Sequence, residues 1–250
     1  KISDIILMGS ERIHLFDTPL LVSRNMGLAV DQRAAKRVMD ILISGIGIII
    51  TSPIMLIIAI AVKAYDRGPV FYFQDRLTLG GKPFKICKFR SMCVDSEKNG
   101  ARLASKHDSR ITPVGHVLRN LHLDELPQLF NVFKGDMSLV GPRPERESIM
   151  LEYEKELPEF YYRLKVKAGL TGYAQVYGKY NTTPYDKLKL DLFYIENYSF
   201  LLDIKLIFMT VKIFFQKEVS EGVDDRQVNA LKDSGKTPEC QRIKRRNDNE

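Results

Sequence analysis

VMDILISGIGIIITSPIMLIIAIAV, residues Val38 to Val62, decides what kind of fold the rest of the chain can adopt. From Ile41 onward it is long and apolar enough to cross a bilayer core, which takes about 20 helical residues. A globular-core helix rarely runs so uniformly apolar, so membrane insertion is expected. Arg33, Lys36 and Arg37 precede the segment, and Lys63 and Arg67 follow it. With both ends basic, the positive-inside rule gives no orientation for a simple span. Pro53, near the centre, removes one backbone hydrogen bond and kinks the helix. The hydroxyls of Thr51 and Ser52 can satisfy the freed carbonyls. A central break between two basic ends suits a helix-turn-helix that enters and leaves on one face. An ordinary kinked span fits as well, and the residues alone do not choose between them.

Further along, Leu121 to Glu145 reads LHLDELPQLFNVFKGDMSLVGPRPE. Leu126, Leu129, Phe130 and Phe133 recur at helical spacing. Pro127 fits a first turn, and Gly135 fits a stop. The spacing therefore predicts a helix with Asp124 and Glu125 at its start, where ionised carboxylates are favoured. A short apolar run, Ser138 to Val140, leads into Gly141-Pro-Arg-Pro144, a stiff turn that holds an arginine. A guanidinium fork suits phosphate. Two carboxylates, a metal and a phosphate-binding arginine together make a phosphoryl-transfer site. Taken singly, each feature is ordinary. Acids commonly occupy first turns, and Gly-Pro sequences commonly make turns.

The 250 residues suffice for one large or two small domains. A net charge of +7 and a pI near 9.2 point to an anionic partner: nucleic acid, anionic lipid or a phosphorylated substrate. Cys87, Cys93 and Cys240 form neither a metal pattern nor a disulfide framework, which fits a reducing, cytosol-facing setting. Because the chain begins at Lys1, an upstream part is expected to be missing. Residues 1–32 are read as the end of that domain plus a linker. Short strands are expected at Ile5 to Leu7 and Pro19 to Val22.

Val70 to Phe73 and Phe84 to Ile86 flank Leu79-Gly-Gly-Lys82 and predict a β-hairpin with a glycine turn. Its basic residues, Lys88 and Arg90 among them, face either phosphate or plain solvent. His116 and His122 lack partners at metal-ligand spacing. Ile149 to Lys167 reads as a surface helix broken at Pro158, with aromatics among basic residues as at a membrane interface. Gly169 to Gly172 is a glycine turn, and Tyr185 to Ser199 a helix. Asp203 to Gln216 is too short to span, and Lys205 and Lys212 share one helical face. An amphipathic helix lying in the interface is expected there. From about residue 218 the chain is densely charged and is expected to be disordered.

Several of these pieces stand in a recognisable order: Lys36-Arg37, Ser52-Pro53, Gly68-Pro-Val70, Phe89-Arg-Ser-Met92, Leu123-Asp-Glu-Leu-Pro-Gln128, Ser138-Leu-Val-Gly-Pro-Arg-Pro144, Gly169-Leu-Thr-Gly172 and Tyr194-x-Glu-Asn197. Together they resemble the bacterial sugar transferase family, the monotopic polyprenyl-phosphate phosphoglycosyl transferases, and specifically the catalytic domain of a longer member. The resemblance covers roughly residues 33–217. It implies an α+β fold, a largely helical small globule with a re-entrant membrane helix and amphipathic interfacial helices. Residues 33–67 would form the re-entrant helix, broken at Ser52 and Pro53. Residues 68–220 would form the catalytic domain, and 221–250 a charged tail.

The implied activity is of the EC 2.7.8 type: a sugar-1-phosphate moves from a UDP-sugar to undecaprenyl phosphate and UMP is released. That step starts exopolysaccharide, capsule or O-antigen synthesis. Asp124, by its place in the motif, would be the nucleophile, forming an aspartyl-phosphosugar. Glu125 would help hold Mg²⁺ with Asp124, or assist the incoming phosphate. Arg143, and more weakly Arg90, Glu145 and Asp191, would bind substrate or phosphate. The resemblance also implies the inner membrane, an active site facing the cytoplasm, contact with membrane lipids and room for a homodimer. Nucleic acid is not an expected partner, because no recognition motif is present. A phosphohydrolase using the same carboxylates and a non-enzymatic membrane scaffold are the competing readings.

Overall fold

In the computed structural model the described residues are 10–15, 18–23, 28–94, 108–178 and 182–214. The expected strand at Ile5 to Leu7 and the charged tail lie outside them. Strands β1 (Ser10–Leu15) and β2 (Thr18–Ser23) pair antiparallel. Helix α1 (Val30–Asp66) follows. A hairpin of β3 (Phe71–Leu77) and β4 (Pro83–Phe89) turns through Leu79–Gly81, where Gly80 and Gly81 have positive φ. Then come α2 (Pro113–Asn120), a 3₁₀ turn (Leu123–Glu125), α3 (Gln128–Lys134) and β5 (Ser138–Val140). Helix α4 (Glu147–Glu156) and a 3₁₀ segment (Pro158–Lys165) share the break expected at Pro158. Strand β6 (Gly169–Thr171) pairs parallel with β5, and α5 (Tyr173–Tyr177), α6 (Pro184–Glu196) and α7 (Phe200–Phe214) close the chain. The fold is α+β, largely helical, with small two-stranded sheets.

Helix α1 sets the architecture. Its 37 residues make roughly 55 Å of helix path at 1.5 Å per residue, and it is long and apolar enough to cross a membrane. Ile46, Ile49, Ile50, Leu56, Ile57 and Ile60 are all exposed, an apolar surface that water would not tolerate at this extent. The helical assignment continues through Pro53. The reason is local. Pro53 cannot donate to the Ile49 carbonyl, and the Ser52 hydroxyl donates to that carbonyl in its place, at 2.9 Å. The Thr51 hydroxyl likewise donates to Gly47 O at 2.7 Å. Ser52→Ala should leave a carbonyl bare in hydrocarbon. It should cost about 1–3 kcal/mol, measurable as a lower Tm in nanodiscs, while Ser52→Thr should restore it.

Both ends of α1 grip the same body. At the start, Arg37 donates to the carbonyls of Val132 and Phe133 at 2.8 and 2.7 Å, and buried Asp40 accepts from Ser138 Oγ and the Leu139 amide at 3.0 and 2.9 Å. Lys36 is buried against Asp203 of α7, 2.5 Å away, and Tyr194 of α6 donates to the same carboxylate at 2.7 Å. In the second half, Met55, Ile58 and Val62 pack with Phe89 and Leu118 in a small core. At the end, Asp66 pairs with Arg90. The main core lies on the other side of the hairpin, around Ile86, Val132, Met137, Val140, Phe160, Leu188 and Leu192.

The two glycine-bearing motifs meet backbone to backbone. Gly141 N donates to Thr171 O at 2.8 Å, and Gly169 N donates to Pro142 O at 2.9 Å. A Cβ on Gly169 would lie 2.1 Å from the Gly141 nitrogen, so no larger residue fits. Helix α7 buries Asp203 and Leu206 and exposes Leu201, Phe208 and Val211, with Lys205 and Lys212 also outward. That is the amphipathic pattern expected of it.

Candidate active site

The acidic pair is carried by a 3₁₀ turn, not by the first turn of the helix it precedes. His122 enters that turn in the left-handed region, φ 52°, a conformation held where the surroundings enforce it. Leu123 and Leu126 flank the pair and pack against the small core formed with Met55, Ile58 and Val62 of α1. The second half of the apolar helix therefore packs against the leucines on either side of the carboxylates.

Two cations converge on Glu125 from different elements. Lys88, at the end of β4, lies 2.6 Å from Glu125 Oε1. Arg143 Nη2 lies 2.9 Å from the same oxygen. Arg143 stands out between buried Pro142 and Pro144, so the prolines aim it. Burial would raise the Glu125 pKa, but Arg143 and Lys88 outweigh it and hold the carboxyl well below the usual range. Asp124 goes the other way. Burial first, and then the adjacent Glu125 charge, raise its pKa, only partly offset by Lys88 and Arg119. Two neighbouring carboxylates are thus split into one firmly ionised and one more basic, a division found where acid, base and nucleophile roles are separated.

Behind Arg143 lies a second, buried charge cluster. Arg163, only 2% exposed, donates to the Arg143 carbonyl at 3.0 Å and meets Asp191 at 2.9 Å. Glu145 is contacted by Lys187, by Arg163 at 3.5 Å and by Arg76 at 3.8 Å. Burial works against ionised Glu145, yet Lys187 and Arg163 lower its pKa to about 2. Arg76 donates to Pro144 O at 3.2 Å, and Glu145 O accepts from Leu77 N at 3.0 Å. The carbonyls of Arg143, Pro144 and Glu145 are each held, so the loop presents its arginine rigidly.

Of the residues singled out in the sequence, the fold brings together Asp124, Glu125 and Arg143. Glu145 and Asp191 stand in the cluster supporting Arg143. Arg90 is buried against Asp66 and Gly68, strapping the end of α1 to the hairpin. Ser52 and Pro53 lie mid-helix. Lys88 was not singled out as a site residue, although it adjoins the Phe89-Arg90 motif. Arg163 carried no signal at all, since a buried arginine is indistinguishable in sequence from its surface neighbours. The donor set suits Mg²⁺, which is held by one or two carboxylates and completed by phosphate oxygens and water. Among the described residues no third His, Cys, Asp or Glu joins the pair into a protein-only cage.

An exposed apolar helix and a carboxylate pair ringed by cations define a membrane-associated protein with a site suited to phosphate-bearing substrates. The chain belongs to the bacterial sugar transferase family, whose sequence profile matches residues 31–217. It is 46% identical over 180 residues to a UDP-N-acetylgalactosamine-undecaprenyl-phosphate N-acetylgalactosaminephosphotransferase of Aeromonas hydrophila, covering 71% of this chain and 43% of that one. It is 43% identical over 208 residues to a UDP-glucose:undecaprenyl-phosphate glucose-1-phosphate transferase of Klebsiella pneumoniae, covering 81% and 43%. A protein of the same description from Caulobacter vibrioides is 38% identical over 203 residues, covering 78% and 75%. The chain thus spans less than half the length of the first two relatives and most of the third.

Proposed function

We propose that this chain transfers a sugar-1-phosphate from a UDP-sugar to undecaprenyl phosphate, releasing UMP, as the first membrane step of exopolysaccharide, capsule or O-antigen synthesis. The observation that carries this reading is the Asp124–Glu125 pair, flanked by Lys88 and Arg143 and seated on the membrane helix. A lipid's phosphate lies at headgroup level, so the reacting carboxylate must lie there too.

Lys88 and Arg143 bind the diphosphate of the UDP-sugar and offset its charge. An Asp124 oxygen attacks the β-phosphorus, and the bond from that phosphorus to the bridging oxygen breaks. UMP leaves with the electron pair, and an acyl phosphate joins Asp124 to the sugar phosphate. A phosphate oxygen of undecaprenyl phosphate then attacks the same phosphorus, and the Asp124 carboxylate is regenerated. Two steps keep the two anionic substrates from having to share the site. The raised Asp124 pKa marks a carboxylate that is a stronger nucleophile once ionised. Asp124 and Glu125 would hold Mg²⁺, which would neutralise charge on the transferring phosphate.

The ends of α1 support a re-entrant arrangement. Lys36, Arg37 and Asp40 at one end, and Val62 and Asp66 at the other, all contact one globular body, which cannot stand on both sides of a bilayer. On this reading the body and both ends face the cytoplasm. Single cysteines at Val30 and Tyr65 should therefore both react with an impermeant maleimide in inverted membrane vesicles and be protected in right-side-out cells. Reaction of one from each side would mean a simple span. The activity is tested by UMP release in detergent with Mg²⁺, undecaprenyl phosphate and a panel of UDP-sugars. Multiple-turnover release with one sugar that depends on undecaprenyl phosphate supports transfer; release beyond one equivalent without it would indicate hydrolysis.

A further inference from the structure

A cavity of about 480 Å³ opens at the start of α1, lined by Arg33, Lys36, Arg37, Asp40, Lys165 and Lys167 among its polar residues, with Leu28, Leu79 and Val166 as apolar wall. It shares no residue with the Asp124–Glu125 site. Helix α3 lies between them: the acidic pair precedes its first residue, and Arg37 caps the carbonyls of its last turn, about 10 Å further on.

The cations of this cavity outnumber its one carboxylate, Asp40, and several are fixed in place. Arg37 is held by two backbone carbonyls. Lys167 is held by the Gly135 carbonyl at 2.9 Å. Lys165 lies over the Tyr162 ring, 4.6 Å from its centroid. Among the described residues, Lys36 is the one cation of the lining with an ion-pair partner at contact distance, Asp203. Asp40 turns its carboxylate to Ser138 and Leu139. Burial, and next the nearby Arg37, lower the Lys167 pKa, and Asp40 and Asp136 offset this only in part. Fixed donors around a partly apolar hollow of this size are the features of a ligand site, and their sign selects an anion.

We propose that this cavity is a second, saturable site for a phosphate group, separate from the reaction centre and gripped by Arg33 and Arg37 from α1 and by Lys165 and Lys167 from the opposite wall. The shared chemistry is a phosphate ester; its source is either a soluble nucleotide or the headgroup of an anionic lipid. Inorganic pyrophosphate serves as the probe. Binding to the full chain in phosphatidylcholine nanodiscs should show two sites. Arg33→Glu with Lys165→Glu should weaken one of them at least tenfold and spare the other. Arg143→Ala should do the reverse. Neither Arg33 nor Lys165 supports the core, and an unchanged circular dichroism spectrum checks folding. The milder Arg33→Gln with Lys165→Gln should give an intermediate loss. Replacing phosphatidylcholine with phosphatidylglycerol then separates the sources: displacement of cavity-bound pyrophosphate identifies a lipid headgroup, and undiminished binding identifies a soluble ligand. A single pyrophosphate site, or two sites both indifferent to the Arg33/Lys165 charge reversal, would overturn the proposal.

Discussion

Asp124→Asn is expected to lower UMP release about 10⁴-fold, the scale of loss when a residue acting directly on the reacting atoms is removed, without lowering stability. The two halves of this result have one cause. The folded Asp124 carboxyl has a raised pKa, first because it is buried and next because Glu125 is beside it. Above that pKa the folded protein carries a charge that the unfolded chain accommodates more easily. Ionised Asp124 therefore costs stability at neutral pH, and the cost disappears as pH falls through the folded pKa. The amide removes the cost at every pH, so Tm should hold or rise. Activity needs the ionised form, so the acidic limb of the rate profile should lie above the ordinary aspartate range near 3.9. A variant that loses both activity and Tm would mark Asp124 as structural instead.

The second large effect lies far from the chemistry. Lys36→Met should destabilise the protein by about 3–5 kcal/mol, because it strands a buried charge. Asp203 is fully buried and depends on Lys36 at 2.5 Å and Tyr194 at 2.7 Å. Acidification should partly rescue the single variant, since a protonated Asp203 no longer needs a cation. Lys36→Met combined with Asp203→Leu should recover much of the loss, because replacing both partners removes the stranded charge. Denaturant midpoints of the two single variants and the double variant check this. Additive losses would show that the pair is not coupled.

These two residues illustrate where sequence reasoning reaches and where it stops. The apolar run, the hairpin with its glycine turn, the helix ended by Gly135 and the break at Pro158 are local patterns, and each appears as expected. The acidic pair and the proline-framed Arg143 were also legible, because turn chemistry and charge sit within a few residues of one another. The partners of Lys36 and Asp40 were not, since Asp203 and Ser138 lie far along the chain and only the tertiary fold brings them together. Arg163 escaped notice for the same reason. Glu145 and Asp191 stood out by position in motifs, and the fold assigns them the support of Arg143. The continuity of α1 through Pro53 depended on one hydroxyl replacing one missing amide, a geometric outcome that the sequence admitted without deciding.

The most direct measurement is the mass of the protein after mixing with Mg²⁺ and its UDP-sugar in the absence of undecaprenyl phosphate. The mechanism predicts UMP release limited to one equivalent and a covalent gain of one sugar phosphate, located on the peptide containing Asp124 and absent from Asp124→Asn. Full transfer on adding undecaprenyl phosphate, with no adduct at any stage, would contradict it and require direct attack of the lipid phosphate on the UDP-sugar.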